Sequence, residues 1–284
     1  MVNLSRRQFV KTSGTAAALA SLGVLNRCAP AKAPAKEIPV GVQLYSVRSE
    51  MQKDVPVTLA AMAKIGYRGV EFAGFFDYAA KDLRQLLDDN GLQCCGSHTP
   101  IDTLTDEAFD ATIEYNKVIG NKYIIVPWIG EEDRSTIDNW KKLAEKFNSW
   151  SEKLKGEGMQ VGYHNHTFEF QAIDGQLPWD VFAQNTNNDV VLQLDTANCG
   201  HGKADPLATL KRYPGRATTV HLKEYSTSNE NAILGEGDVP WKEVLSFCKS
   251  EGGTEWYIIE EEKDTYPPIE AVTKCFQNLQ ALRA

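Results

Sequence analysis

The chain lacks cysteine pairs at metal-binding spacing. None of its six cysteines stands in a Cys-x-x-Cys spacing, which excludes a zinc ribbon or a related structural zinc site. A chain of 284 residues with 42% hydrophobic content can also bury a sizeable core without covalent cross-links. We therefore expect no structural zinc and assign no disulfide, although an exported protein would be permitted to form one.

Positive charge is also scarce. Lys and Arg number 30 against 38 Asp and Glu, and without residues 1–28, which contain no acid, the balance is 26 against 38, a formal −12. A globule this acidic repels phosphate backbones, so nucleic-acid binding is not expected. The chain also has no Gly-rich phosphate loop, and this disfavours a phosphorylated substrate.

The apolar run over residues 15–25 is too short to span a bilayer of about 30 Å. It follows a pair of arginines, Arg6 and Arg7, then Phe9 and Lys11, and this pattern is typical of a twin-arginine export signal. We expect residues 1–28 to be that signal and the protein to be periplasmic.

Residues 29–37 alternate Ala, Pro and Lys, which offers nothing to pack and predicts a linker. Cys28 is a candidate lipid-anchor cysteine, but Arg27 is a poor match to the small residue usual before one. Cleavage between Ala29 and Ala35 is the alternative. Any membrane contact is expected only through Cys28, and the sequence does not predict an oligomeric state.

From residue 38 to 284 one pattern repeats: a short β-branched run, a polar residue at its end, then an amphipathic stretch. The predicted strands are 39–44, 68–72, 93–97, 122–126, 160–163, 190–194, 218–222 and 256–259. The predicted helices are 56–65, 80–90, 106–119, 136–155, 179–184, 206–213, 241–250 and 268–282. Eight βα units predict a single (β/α)8 barrel. A doubly wound sheet is the alternative, but the chain has no Gly-x-Gly-x-x-Gly turn after its first strand.

Chemistry in such a barrel collects at the carboxyl ends of the strands. The residues there are Gln43, Tyr45, Glu71, His98, Trp128, His164, His166, Asp195, His221, Lys223 and Glu260. They include four of the five histidines of the chain, a concentration that favours a metal site.

Strands five to eight supply the predicted metal ligands, His164, Asp195, His221 and Glu260. A mixed set of imidazole and carboxylate suits Mn²⁺, which we expect, or Co²⁺, Zn²⁺ or Mg²⁺, more than Ca²⁺. Each residue also has an ordinary explanation. Asp195 would cap a turn, His221 would be a buried hydrogen-bonded histidine, and Glu260 would belong to the acidic run Glu260-Glu261-Glu262.

The sequence resembles the xylose-isomerase-like sugar isomerase and epimerase barrels over nearly all of its length after residue 38. The motifs are Gln43-Leu-Tyr-Ser-Val-Arg48, Gly69-Val-Glu71, Leu194-Asp-Thr196, His221-Leu-Lys-Glu224, Gly235-Glu-Gly237 before a Trp, and Trp256-Tyr-Ile-Ile-Glu260. The resemblance implies a divalent metal at the barrel mouth that binds neighbouring oxygens of a sugar. It implies that Asp195, His221 and Glu260 are ligands and that Glu71 and His98 contact the substrate.

The chain departs from the family at strand five, where isomerases and epimerases place a glutamate and this chain has His164. The family's glutamate pair moves protons on either face of an enediolate, whereas an imidazole that binds a metal is not free to take a proton. The inositol-pathway dehydratases of the superfamily are more similar at this His-rich strand.

The first functional hypothesis is a metal-dependent isomerase or epimerase of a free sugar or ketosugar. Its catalytic residues would be Glu260, His164 and Lys223, and its substrate-binding residues would be Gln43, Tyr45, Glu71, His98, Trp128, His166 and Glu224. The alternative is a lyase, dehydratase or hydratase of a ketosugar, ketoinositol or 3-ketoglycoside. A third hypothesis is a carbohydrate-binding barrel without catalysis.

Overall fold

A computed structural model describes residues 37–284, of which Ile38–Ala284 form one compact unit. The predicted signal segment, Cys28 and the linker up to residue 36 lie outside the described residues, so these three remain predictions. Among the described residues, no helix is both long enough and apolar enough to cross a membrane.

Eight parallel strands form the centre of the fold, and each ends within one residue of its predicted bounds. They are β1 (Val40–Gln43), β2 (Gly69–Ala73), β3 (Gln93–His98), β4 (Tyr123–Val126), β5 (Gln160–His164), β6 (Val191–Gln193), β7 (Thr219–Leu222) and β8 (Trp256–Ile259). Their order is β6-β5-β4-β3-β2-β1-β8-β7. The predicted (β/α)8 barrel is confirmed.

The barrel is almost closed between β6 and β7. Leu192 N donates to Arg216 O and His221 N donates to Leu194 O, both at 2.9 Å. Asp195 and His221 then pair as an isolated parallel bridge. Two of the predicted metal ligands therefore lie side by side at the seam where the barrel closes.

Ten helices are seen in residues 37–284. They are α1 (Arg48–Lys53), α2 (Val55–Ile65), α3 (Ala80–Asn90), α4 (Phe109–Val118), α5 (Ile137–Lys155), α6 (Pro178–Asn185), α7 (Thr196–His201), α8 (Pro206–Arg212), α9 (Trp241–Ser250) and α10 (Pro268–Arg283). Eight were predicted; α1 and α7 were not, because each has six residues, too few for a periodic pattern. Helix α4 begins three residues later than predicted, since Ala108 N and Phe109 N both donate to Thr105 O in a preceding turn.

Side chains alternate along each strand, so every second residue faces the barrel interior. Toward the amino ends of the strands the interior is filled by an apolar cluster, which we call the interior plug: Cys95, Tyr123, Ile125, Val191, Trp256 and Ile258. Glycines make room for it. A Cβ on Gly41 would lie 2.5 Å from Cys95 Sγ, and one on Gly162 would lie 2.6 Å from Ile125 Cδ1.

The outward face of β5 is anchored in the core between strands and helices. Tyr163 packs against Trp140 of α5 and Phe182 of α6, with ring centroids 5.9 and 5.2 Å apart. All three rings are almost completely buried, and burial of such a side chain contributes about 1.5–3 kcal/mol. Because neighbouring side chains point to opposite faces, this packing turns His164 toward the barrel interior.

Candidate metal centre

Four predicted ligands meet at the carboxyl end of the barrel. His164 ends β5, Asp195 follows β6, His221 lies in β7 and Glu260 follows β8. One ligand atom from each lies within 4.8 Å of the others, and all four side chains are buried. Two imidazoles and two carboxylates in this arrangement match the mixed nitrogen and oxygen donor set that binds Mn²⁺, Co²⁺ or Zn²⁺.

Asp195 supplies the clearest sign that the cluster suits a cation. Its Oδ1 caps α7 by accepting a hydrogen bond from Asn198 N at 2.7 Å, as expected of a turn cap. Its Oδ2 is buried and accepts no hydrogen bond. A buried carboxylate oxygen without a donor is costly, whereas a metal would satisfy it. Asp195 can therefore be both a turn cap, through Oδ1, and a metal ligand, through Oδ2.

His221 lies between two carboxylates. Its Nδ1 is 2.8 Å from Glu260 Oε2, and its Nε2 is 2.5 Å from Glu71 Oε2. Burial alone would lower the pKa of His221, but the two carboxylates outweigh it and raise the pKa to about 10. A carboxylate on the outer nitrogen of a metal-binding histidine is the usual way to fix its ring. Glu71 thus leaves Nδ1 to face the cluster.

Lys223 adds a positive charge beside the cluster. Its Nζ is 3.9 Å from Asp195 Oδ2 and 3.8 Å from Glu260 Oε2, and it contacts Glu262 directly. Burial would lower the pKa of Lys223, but these carboxylates raise it, so the side chain stays an ammonium. Burial would likewise raise the pKa of Glu260, but Lys223 and His221 hold it well below its usual value.

Gln43 and Glu71 were predicted to bind substrate, but both are completely buried beneath the cluster. Gln43 Nε2 donates to Glu71 Oε2 at 2.8 Å, and Glu71 in turn contacts the ligand His221. Neither side chain has surface at the barrel mouth. In the structure both side chains support a ligand, and substrate binding by either of them stays a prediction.

Glu224 was also predicted to bind substrate, and in the structure its carboxylate contacts a loop. Its carboxylate accepts four hydrogen bonds of 2.7–3.3 Å, from Tyr225 N, Gly235 N, Val239 N and Trp241 Nε1. It faces the loop between β7 and α9, because every donor comes from that loop or the helix after it. Glu224 orders this loop, and no oxygen is left for a substrate.

The remaining predicted substrate-binding residues lie around the mouth. Tyr45 and Trp128 are 43% and 52% exposed, which is unusual for large apolar rings. His166 lies next to Trp128, with ring centroids 4.8 Å apart, and its buried Nδ1 has no hydrogen-bond partner. His98 is partly exposed and lies 4.8 Å from His164, ring to ring.

Three supporting residues escaped prediction. Asn165 Oδ1 accepts from Asp195 N at 2.8 Å, and Glu169 accepts from His166 N at 2.9 Å and from the Tyr163 hydroxyl at 2.5 Å. Gln193 lies beneath His164 in the barrel interior. One signal was available in the sequence, because a glutamine in the middle of the apolar run 190–194 has no reason to be there unless it is paired.

Known proteins similar to this chain include two named inosose dehydratases. That of Serratia proteamaculans (strain 568) is 22% identical over 245 residues, covering 72% of this chain and 82% of the relative. That of Lacticaseibacillus casei is 24% identical over 274 residues, covering 82% and 91%. A solved structure of a sugar phosphate isomerase/epimerase from Parabacteroides distasonis matches with a TM-score of 0.73 and 26% identity, covering 88% of this chain and 96% of that one.

The family model for the xylose isomerase-like TIM barrel matches residues 59–282, most of the chain. This agrees with the eight-stranded barrel and with the resemblance stated from the strand motifs. The chain therefore belongs to the xylose isomerase-like TIM barrel family.

Proposed function

We propose that the protein is a metal-dependent dehydratase of a ketosugar or a cyclic polyol ketone such as a ketoinositol. The observation that carries the proposal is the donor on strand five. His164 stands where a two-carboxylate epimerase needs its second proton-transfer group, which leaves Glu260 opposite the ammonium of Lys223. The names of the relatives, inosose dehydratases, support the same reaction class.

The cluster fits a single divalent cation, for which we propose Mn²⁺, with Co²⁺, Zn²⁺ or Mg²⁺ as alternatives. His164, Asp195, His221 and Glu260 would hold it. When bound, such an ion supplies Lewis-acid stabilisation of the negative charge that develops on a carbonyl oxygen during proton abstraction.

The protein's own groups would move the proton. Glu260 accepts the proton from the carbon next to the carbonyl, and the electron pair of that bond forms the new double bond as the β-hydroxyl departs. Lys223, whose Nζ lies 3.8 Å from Glu260 Oε2, gives one of its protons to the departing hydroxyl, which leaves as water, and then regains the proton that Glu260 took. The enzyme returns to its starting state, and the substrate has lost one water.

Residues around the mouth would bind the sugar. Trp128 offers an exposed ring face for stacking, and Tyr45 offers a second one. His98 and His166 offer ring nitrogens to hydroxyl groups. We also propose that the protein works in the periplasm after twin-arginine export, a proposal supported only by the sequence of residues 1–28.

An isomerase or epimerase is the second candidate. The Parabacteroides distasonis neighbour of that name supports it, and both reactions begin with the same proton abstraction. A carbohydrate-binding barrel without catalysis is the third. It is less favoured because the buried oxygen of Asp195 is left without a partner for no structural benefit.

Proton NMR in D₂O separates these reactions. The full chain is incubated with Mn²⁺ and, in turn, an inosose, a free ketosugar and a 3-ketoglycoside, with Asp195→Asn as the control. We expect a product that has lost one water, either the enone or the diketone to which it tautomerises, and that requires the intact cluster. An isomer or epimer carrying solvent deuterium, with no dehydrated product, would establish the second candidate instead. No conversion of any substrate by metal-loaded protein would favour the third.

A further inference from the structure

Gln193 is a fully buried amide that faces the barrel interior from β6. All of its polar contacts are with side chains of the site or its floor. Nε2 donates to Glu71 Oε1 at 2.8 Å and to Thr219 Oγ1 at 2.9 Å. Oε1 lies 3.0 Å from His98 Nε2 and 3.2 Å from His164 Nδ1.

These contacts fix which way the amide points. An ionised carboxylate can only accept hydrogen bonds, so the NH₂ end of Gln193 must face Glu71. Glu71 Oε2 also accepts a hydrogen bond from Gln43 Nε2 at 2.8 Å, so both oxygens of this carboxylate act as acceptors. The carbonyl oxygen of Gln193 must then face the two histidines, and both must donate to it.

The donation by His164 decides the chemistry of that residue. A neutral imidazole has one N–H and one lone pair, so a proton on Nδ1 leaves the lone pair on Nε2. A carboxylate at this strand position would need no such control, because both of its oxygens bind metals. An imidazole ligand works only in the correct tautomer.

We infer that Gln193 is a positioning residue that holds His164 as the Nδ1–H tautomer, so that Nε2 is the atom offered to the metal. The inference rests on the proposed metal site but not on the proposed reaction. It also distinguishes two groupings of donors. A second close set consists of His98, His164 and His221, but a metal between His98 Nε2 and His164 Nδ1 would have to displace the oxygen of Gln193.

The direct test is nitrogen NMR of the metal-free, full-length chain with ¹⁵N-labelled histidine. The five histidines of the sequence give few signals, and a His164→Gln variant assigns the one of interest. We expect His164 to show a protonated Nδ1 and an unprotonated Nε2 at neutral pH. The reverse tautomer, or a protonated imidazolium, would overturn the inference.

Variants of Gln193 test the cause. Gln193→Met keeps the length of the side chain and removes the acceptor, so it should mix the His164 tautomers and weaken Mn²⁺ or Co²⁺ binding about 10- to 100-fold. Gln193→Glu, protonated on the oxygen that faces the Glu71 carboxylate, keeps an acceptor for His164 and should preserve the tautomer. Gln43→Met is the matched control for the tautomer, because it removes the other amide on Glu71 without touching His164.

An unchanged tautomer in Gln193→Met would contradict the proposed role. If that variant does not fold, the wild-type spectrum and Gln193→Glu decide the question. A wild-type Nδ1–H tautomer in a protein that binds no metal would instead uphold the hydrogen-bond assignment and refute the metal site. Failure of the tautomer assignment and failure of the proposed metal site are therefore distinguishable.

Discussion

The two ends of the barrel interior differ in chemistry, and β6 and β8 contribute to both. Toward the amino ends lies the interior plug of six apolar residues, whereas the carboxyl end carries Gln43, Glu71, His164, Gln193, His221 and Glu260. Ile125 and Val191 belong to the plug, and their side chains have no polar group that needs a hydrogen bond. Two residues after Val191, Gln193 engages four polar partners.

This difference shows how one fold separates stability from function. The plug contributes by burial and close packing, which depend on shape. The carboxyl end buries charged and polar groups, which are costly unless every one of them is paired. Substitutions should therefore lower stability at one end and change chemistry at the other.

The largest expected effect is at Lys223. Lys223→Met keeps the length of the side chain but removes the proposed proton carrier, so kcat should fall about 10²- to 10⁴-fold. Metal content should not fall, because the charge removed is positive. Steady-state kinetics and elemental analysis measure the two. Lys263→Met is the control, since Lys263 donates to the Ala232 carbonyl rather than to the cluster; an equal loss in both variants would refute a specific role.

Ile125→Ala tests the other end. Ile125 is completely buried in the plug, and truncation there should lower the free energy of unfolding by about 2–5 kcal/mol through lost burial and a cavity. Metal content and turnover per folded molecule should stay as in the wild type, because β4 provides no metal ligand. Urea unfolding and kinetics on the same preparation would show whether stability and chemistry separate. Loss of metal from Ile125→Ala would contradict the separation of stability at the plug from chemistry at the carboxyl end.

Glu169 shows the cost of polar burial behind the site. Burial raises the pKa of this carboxyl from 4.5 to about 7 despite hydrogen bonds from Tyr163 and His166. The folded protein thus binds more protons than the unfolded chain between these values, so stability falls as pH rises from about 4.5 to about 7. The loss amounts to about 3 kcal/mol.

Urea midpoints at pH 5 and pH 8 measure this slope. Glu169→Gln cannot ionise and should reduce the slope, whereas Glu157→Gln, on the exposed surface, should leave it unchanged. An identical dependence of stability on pH in the wild type and in Glu169→Gln would mean that Glu169 does not cause it.

The smallest expected effect is at the rim. Trp128→Ala removes an exposed stacking face, so KM should rise about tenfold, equivalent to about 1.4 kcal/mol, with little change in kcat. Stability should change little because half of the ring is already exposed. Val118→Ala, an exposed apolar position on α4, is a control for loss of surface apolar area. A fall in kcat with unchanged KM would mean that Trp128 acts on the chemistry.

Short β-branched runs that alternate with amphipathic stretches made the fold predictable from the sequence. The strand ends also predicted the four residues of the cluster, because parallel strands in a barrel bring their carboxyl ends together. Asp205 directly precedes the predicted helix 206–213, and its side chain accepts a hydrogen bond from Ala208 N at the start of α8.

The roles of individual polar residues were harder to predict. A strand end shows that Glu71 or Glu224 is near the site but not which atoms it meets. Glu71 proved to support His221, and Glu224 proved to order a loop. Gln193 was missed because its partners lie 26 or more residues away, on other strands. Such pairing is decided by tertiary packing, which a local pattern does not contain.

The most direct test of the account is the metal content of the purified full-length protein. After equilibration with Mn²⁺, Co²⁺ or Zn²⁺ and removal of free ion, we expect about one divalent cation per chain in the wild type. Asp195→Asn and His221→Ala should lose it, whereas Ile125→Ala should retain it. Wild-type protein without bound metal, or equal metal in the wild type and Asp195→Asn, would contradict the assignment of the carboxyl-end cluster as a metal site.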